Sequence, residues 1–233
     1  MSAPAELPPV TFVGRGKLGS AVARAWEGKG GRVARMVGQG EPWTPEGLVF
    51  EATTPDAAPV NVLRCVEAGV PVVTGSTGWL ERLPALEAAV QTHGTAALYS
   101  TNFSPGVHAL NLLAAHASKL MARLDPQGQH YRASIQEVHH VHKMDAPSGT
   151  ALTLQRFARA EGHTVPIESI REGDVVGLHT LVWDSAFDSV VLQHEAKNRD
   201  GFALGAVSAL RFTWLQHNLG RPGLYTMTDL FAP

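Results

Sequence analysis

Apolar and polar positions along the chain keep two different rhythms before and after residue 102. In the first part, short apolar runs of strand length occur at Val10–Val13, Arg32–Val37, Leu48–Phe50, Val70–Thr74 and Ala96–Ser100. Segments with a helical period lie between them, at Lys17–Gly28, Asp56–Ala68 and Pro84–His93. Leu18, Val22 and Trp26 share related faces of the first helix. Asp56 is placed to cap the second, whose apolar stripe reads as Val60, Leu63 and Val66. Strands that alternate with helices predict a parallel sheet wound by right-handed crossovers.

The second rhythm begins after Asn102. A long helix is predicted over Pro105–Leu124, then a strand from Tyr131 to Val138 and a helix from Leu152 to Ala160. Strands at Ile167–Arg171, Val175–Val182 and Val190–Ala196 follow, and a last helix spans Gly201–His217. The expected fold class is α/β. A Rossmann-like nucleotide domain (residues 1–102 and 203–233) carries an inserted α+β domain with a mixed sheet (residues 103–202).

Bulk chemistry narrows the function classes. The chain has 233 residues, of which 44% are hydrophobic, and this suits one large or two small domains with a real core. A formal net charge of -2 supplies no basic field for nucleic acid or an anionic membrane. No apolar run approaches the roughly 20 residues of a membrane helix. Cys65 is the single cysteine, so no intrachain disulfide forms, and a reducing compartment is expected. The opening Met1-Ser2-Ala3-Pro4-Ala5-Glu6 has neither a basic nor an apolar leader region, so a cytoplasmic protein is expected.

Gly14-Arg15-Gly16-Lys17-Leu18-Gly19 joins a predicted strand to a predicted helix. In that setting G-x-G-x-x-G is a dinucleotide loop. Gly14 makes the tight turn, Gly16 admits a pyrophosphate, Gly19 packs against the strand, and the phosphate sits on the helix N-terminus. After the second strand no acid occurs until Glu41, so a ribose clamp of the NAD type is not evident. Arg15 and Lys17 are candidates for a 2′-phosphate, or simply solvated cations, and the choice between NADH and NADPH stays open. The loops Gly75-Ser76-Thr77-Gly78 and Ser100-Thr101-Asn102-Phe103 follow the fourth and fifth strands, where an open α/β sheet forms its ligand crevice.

The densest chemistry lies in His139-His140-Val141-His142-Lys143-Met144-Asp145-Ala146-Pro147-Ser148-Gly149-Thr150-Ala151. Three imidazoles, an ammonium and a carboxylate fall within seven residues. Hydroxyl and N–H groups at a helix start then suit an anion. Proton donors beside an anion cradle point to catalysis on a small acidic substrate. Asp145 reads as a loop-orienting group rather than a base. His142 is either a supporting group or a solvated one. Zinc is the competing reading of the histidines, but the thiol of Cys65 is remote in sequence, and no metal is expected.

Glu137 through Ala151 resembles the central signature E-x-H-H-x-x-K-x-D-A-P-S-G-T-A of the dihydrodipicolinate reductase (4-hydroxy-tetrahydrodipicolinate reductase) family. Further landmarks occur in order. Glu51-Ala52-Thr53-Thr54-Pro55 is similar to D-F-T-x-P, Gly75–Gly78 to G-T-T-G, and Asn102–Gly106 to N-F-S-x-G. Arg171–Thr180 and Arg199–Ala206 resemble two later segments, so the likeness covers nearly the whole chain. The glycine loop is one residue shorter than usual, Lys17-Leu18 stand for Arg-Met, and Glu51-Ala52 stand for Asp-Phe.

The resemblance implies an oxidoreductase of lysine and diaminopimelate biosynthesis that uses NADH or NADPH to reduce a cyclic dicarboxylate imine. It implies His139 and Lys143 as the proton-donating pair. His140, Lys143, Ser148, Gly149 and Thr150 would bind substrate carboxylates. The glycine loop, Thr53, Gly75, Ser76, Thr77, Ser100, Thr101, Asn102 and Phe103 would bind the cofactor. The resemblance assigns residues 103–202 to substrate binding and oligomerisation, and a homotetramer assembled through the sheets of that domain is the usual family assembly. A related amino- or imino-acid dehydrogenase and a nucleotide-sensing protein are the competing functions.

Overall fold

The computed structural model describes residues 7–124, 130–160 and 165–231. Residues 1–6, which carry the expectation of no leader, lie outside them. The chain divides into two units. One holds the residues up to Ser104 and those from Asp200 onward, and the other runs from Pro105 to Arg199.

The first unit is a six-stranded parallel sheet. In chain order its elements are β1 (Val10–Val13), α1 (Lys17–Gly28), β2 (Val33–Val37), β3 (Leu48–Glu51), α2 (Ala58–Glu67), β4 (Val72–Thr74), α3 (Leu83–Thr92) and β5 (Ala96–Tyr99). The second unit interrupts this order with α4 (Pro105–Leu124), β6 (Arg132–His139), α5 (Gly149–Ala160), β7 (Ile167–Arg171), β8 (Gly177–Asp184) and β9 (Ser189–Ala196). The chain then returns through α6 (Asp200–Asn218) and β10 (Gly223–Tyr225). The strand order of the first sheet is β10-β5-β4-β3-β1-β2.

The inner strands β1, β3, β4 and β5 are buried almost throughout because helices cover both faces of their sheet, whereas β2 at the edge exposes Ala34 and Arg35. Val22 and Trp26 of α1 pack with Ala206 and Leu210 of α6 against Phe12 and Phe50. Val62 and Val66 of α2 pack with Leu86 and Val90 of α3 against Val49 and Val72. The α2 stripe is therefore Ala58, Val62, Cys65 and Val66, whereas Val60 is 59% exposed. The sequence phased this helix on branched residues, but the small Ala58 and Cys65 lie on its inner face. Asp56 does not cap α2. Ala57 is the N-cap and donates its N–H to the Thr54 carbonyl. The sixth strand, β10, is three residues long, too short to show a period, and the sequence reading missed it.

The second unit is a mixed four-stranded sheet in the order β7-β6-β8-β9. β6 runs parallel to β7 and antiparallel to β8, and β8 is antiparallel to β9. α4 and α5 cover one face through Leu110, Ala114, Ala151, Leu154 and Ala158, which meet Ile135, Leu181 and Trp183. Along β6 the inner positions run Ala133, Ile135, Glu137, His139, so the covered face passes from apolar core to ionisable groups within one strand. Leu181 then His179 repeat that gradient on β8. Among the described residues no helix is long and apolar enough to cross a membrane.

Candidate active site

In the first unit, the loops after β1, β3, β4 and β5 leave the same edge of a parallel sheet. Gly14 has φ +109°, and a Cβ there would collide with the Ala52 carbonyl. At Gly19 a Cβ would collide with the Gly14 carbonyl. Gly16 is different: it is exposed, caps α1, and has nothing within 4 Å of a Cβ position. Two glycines thus let the chain fold tightly, and the third leaves open the approach to the α1 N-terminus.

Arg15 does not point freely into solvent. Its guanidinium donates to Glu41 at 2.7 Å and to the Met36 carbonyl at 3.0 Å. A hydrogen bond from the Gly38 backbone and the adjacent Arg15 hold the Glu41 carboxyl below its ordinary range. Lys17 is exposed at the first turn of α1. Leu18, Gly75 and Phe103 meet, since a Cβ on Gly75 would lie 2.8 Å from Leu18 and 2.9 Å from Phe103.

Beneath these loops sits Glu51, fully buried. It accepts hydrogen bonds from the Thr53 N–H at 2.9 Å, the Thr53 hydroxyl, the Thr74 hydroxyl at 2.6 Å and the Ser76 hydroxyl at 3.2 Å. A buried carboxylate with four donors ties the loop after β3 to that after β4. The Ser76 hydroxyl is committed to this network and also accepts from the Thr53 N–H at 2.8 Å. Thr77 and Thr101 are exposed, whereas Ser100 is buried and donates to the Asn102 carbonyl at 2.6 Å. Phe103 is buried against Phe50. Any cofactor contact by Ser76, Ser100 or Phe103 therefore runs through backbone or packing.

In the second unit, the signature residues surround the end of β6. Glu137 and His139 are two apart on a strand and share a face. Their side chains bond directly, Glu137 Oε2 to His139 Nδ1. Glu137 Oε1 accepts from Arg171 Nη2 at 3.0 Å and from the Ser148 N–H at 3.4 Å. Burial pushes the Glu137 carboxyl up, but Arg171 and His139 outweigh it and hold the group below the usual range. Burial likewise lowers His139 from its ordinary value against the pull of Glu137.

His179 lies opposite Glu137 across β8 and packs edge-on to His139, with ring centroids 4.9 Å apart. Burial, with the neighbouring His139, lowers it to about 4, so it is neutral near pH 7. Its Nε2 meets the Ser148 hydroxyl at 3.1 Å.

α5 begins at Gly149, three residues earlier than its apolar pattern suggested, with Ser148 just before it. The Ser148 hydroxyl accepts from the Ala151 N–H at 3.3 Å. Ser148 thus satisfies one of the first-turn N–H groups that a helix start leaves without an intrahelical partner. Lys143 donates to both Asp145 oxygens, at 2.7 and 2.9 Å, and that bond holds the Asp145 carboxyl low. Asp145 thus fixes the loop. His140 lies just past β6, half-buried, with Arg199 Nη2 3.4 Å from its Nε2. His142 is exposed, 6.3 Å from the His140 ring.

Glu137, His139 and His179 place three donor atoms within 4.8 Å of one another. A divalent cation there would compete with the Arg171 guanidinium for Glu137 and break the Glu137–His139 bond. Local charge favours the hydrogen-bonded arrangement over metal.

Residues 106–231 match the family model described as dihydrodipicolinate reductase, C-terminus. A 4-hydroxy-tetrahydrodipicolinate reductase of Christiangramia forsetii is 32% identical over 198 residues, 79% of each chain. The chain belongs to the dihydrodipicolinate reductase family. A second relative with the same name, from Xanthomonas euvesicatoria pv. vesicatoria, is 40% identical over 74% of this chain and 67% of its own. The solved dipicolinate-bound dihydrodipicolinate reductase of Paenisporosarcina sp. TG-14 shares the fold, with a TM-score of 0.72 at 19% identity, over 94% of this chain and 97% of its own. Membership makes the chain an oxidoreductase of the nicotinamide-dependent type.

Of the family signature residues, the structure gathers His139, His140, Lys143, Ser148, Gly149 and Thr150 at one end of the second sheet. Sequence reasoning did not single out Glu137, Arg171 or His179 as site groups. Strand pairing brings them in: His139 pairs with Arg171 on β7, and Glu137 with His179 on β8. The i, i+2 spacing of Glu137 and His139 was a visible signal, but the pairing registers were not.

Proposed function

We propose that this chain reduces 4-hydroxy-tetrahydrodipicolinate to tetrahydrodipicolinate with NADH or NADPH, with net loss of water, in lysine and diaminopimelate biosynthesis. The observation that carries the proposal is His139, bonded to the buried Glu137, beside an α5 helix start whose Ser148 joins the same network. That constellation offers a proton and an anion cradle together.

The three-glycine turn and the open Gly16 at the α1 N-terminus fit a dinucleotide pyrophosphate. The reduced nicotinamide, when bound, supplies the hydride. One substrate carboxylate sits at the α5 start on the Ser148 hydroxyl and the Gly149 and Thr150 N–H groups, and His140 holds the other. Hydride arrival places electron density on the conjugated ring, and His139 with Lys143 returns a proton. Lys143 leaves Asp145 to do so, or donates while Asp145 steadies it.

The test is steady-state turnover of His139→Ala and Lys143→Ala with freshly generated substrate. Each change should lower kcat by about 10²–10⁴-fold with cofactor affinity retained. Full activity in both variants would reject the assignment. We also infer a cytoplasmic homotetramer. Its contact face would be the outer side of the second sheet, where Val191 is 53% exposed. Sedimentation should give four chains per particle, and a monomer would reject that assembly.

A further inference from the structure

We propose that Glu137 is a positioning residue that locks His139 in the Nδ1–H tautomer, so that Nε2 is the atom that delivers the proton. This deepens the reductase reading and rests on it for the catalytic part.

The geometry leaves Glu137 little choice. Arg171 is pinned on three sides: Nη2 donates to the Asp145 carbonyl at 2.5 Å, Nε to the Lys143 carbonyl at 3.3 Å and Nη1 to the Ile170 carbonyl at 2.7 Å. Held there, Nη2 also occupies Glu137 Oε1 at 3.0 Å, which the Ser148 N–H shares. Oε2 remains for His139. An ionised carboxylate accepts and cannot donate, so Nδ1 must carry the hydrogen in their bond. The proton available for transfer then sits on Nε2 of the imidazolium, and its loss leaves the neutral ring in the tautomer that Glu137 holds.

Space agrees with this assignment. A Cβ on Gly177 would lie 3.1 Å from Nε2 and 3.4 Å from Cδ2 of the same ring. Gly177 has no positive φ that would demand glycine. The missing side chain leaves Nε2 uncovered on that side. The charged and titratable groups around the ring are Glu137 on β6, Arg171 on β7, His179 on β8 and Lys143 with Asp145 in the loop.

Glu137→Gln separates positioning from bulk. The variant is isosteric, but Arg171 and the Ser148 N–H both require an acceptor at the Oε1 position. They hold the amide oxygen there and turn the NH2 group onto Nδ1. His139 must then accept at Nδ1 and carry its hydrogen on Nε2, and its imidazolium form loses its partner.

The experiment is long-range 1H–15N NMR of the full chain labelled with 15N-histidine. Spectra are taken above the titration of His139, and its signals are assigned with His139→Gln. Wild type should show Nδ1–H and Glu137→Gln should show Nε2–H. Turnover of Glu137→Gln should fall by about 100-fold or more, with NADH and NADPH affinities unchanged. An Nε2–H wild type overturns the proposal without any variant. A Glu137→Gln protein with the wild-type tautomer and turnover overturns it as well. A purely structural role would lower thermal stability without exchanging the tautomer. Absence of wild-type turnover would overturn the reductase reading instead, and the tautomer measurement would still decide this one.

Discussion

Single residues at the end of β6 divide the work between charge and neutrality. Glu137 and Arg171 form an ion pair at 3.0 Å, and His179 is kept neutral by burial, so it meets Ser148 without adding a further positive charge beside His139. This has a consequence for acid stability. His179 titrates near 6.5 when unfolded and near 4 when folded, so its neutral form stabilises the protein fully above about pH 6.5. As pH falls from about 6.5 to 4 the unfolded chain gains the proton first, and about 3 kcal/mol is lost. Denaturant unfolding of wild type and His179→Gln across that window should show the variant losing less stability on acidification. Parallel losses would contradict the assignment. Gly177→Ala makes a second check. Its Cβ, 3.1 Å from Nε2, should cut turnover at least tenfold with little change in melting temperature.

At the scale of elements, the loops after β1 and β2 make separable predictions. Gly16→Ala meets open space, so the fold should keep its melting temperature while NADH and NADPH affinity drops about tenfold or more. Calorimetric titration reads this directly, and unchanged affinity would remove the dinucleotide reading of the loop. Glu41 neutralises Arg15 beside Arg35, whose guanidinium lies 3.9 Å away. Glu41→Gln should therefore raise kcat/KM for NADPH relative to NADH, because a freed guanidinium favours the extra phosphate. An unchanged ratio would assign Glu41 no part in the preference, and a shift toward NADH would contradict the argument. The alternation of β1 to β5 with α1 to α3 was legible because buried parallel strands are apolar runs separated by helical periods. The α2 face was misphased because its inner positions include small residues, Ala58 and Cys65, that carry a weak apolar signal. β10 and the α5 start were missed for a related reason. Three residues show no period, and the first turn of α5 is Gly-Thr-Ala rather than an apolar stripe. The His139 loop was legible from residue types alone. The Glu137–Arg171–His179 setting was not, because it is made by strands up to 42 positions apart whose register a single sequence does not print.

For the whole molecule, sequence and structure divide the work between two units. A parallel sheet presents an open glycine turn, and a mixed sheet presents a buried acid–imidazole pair beside a helix start. In the proposed reaction the first unit would hold the dinucleotide and the second would supply the proton. A fold by itself leaves the substrate open, and the residues from His139 to Thr150 are the ones proposed to select it. The most direct measurement is oxidation of NADH and of NADPH by the wild-type chain, with and without freshly generated 4-hydroxy-tetrahydrodipicolinate. The account predicts oxidation that depends on this substrate, with tetrahydrodipicolinate formed in equal amount. Tight nucleotide binding without substrate-dependent oxidation of either cofactor would contradict it.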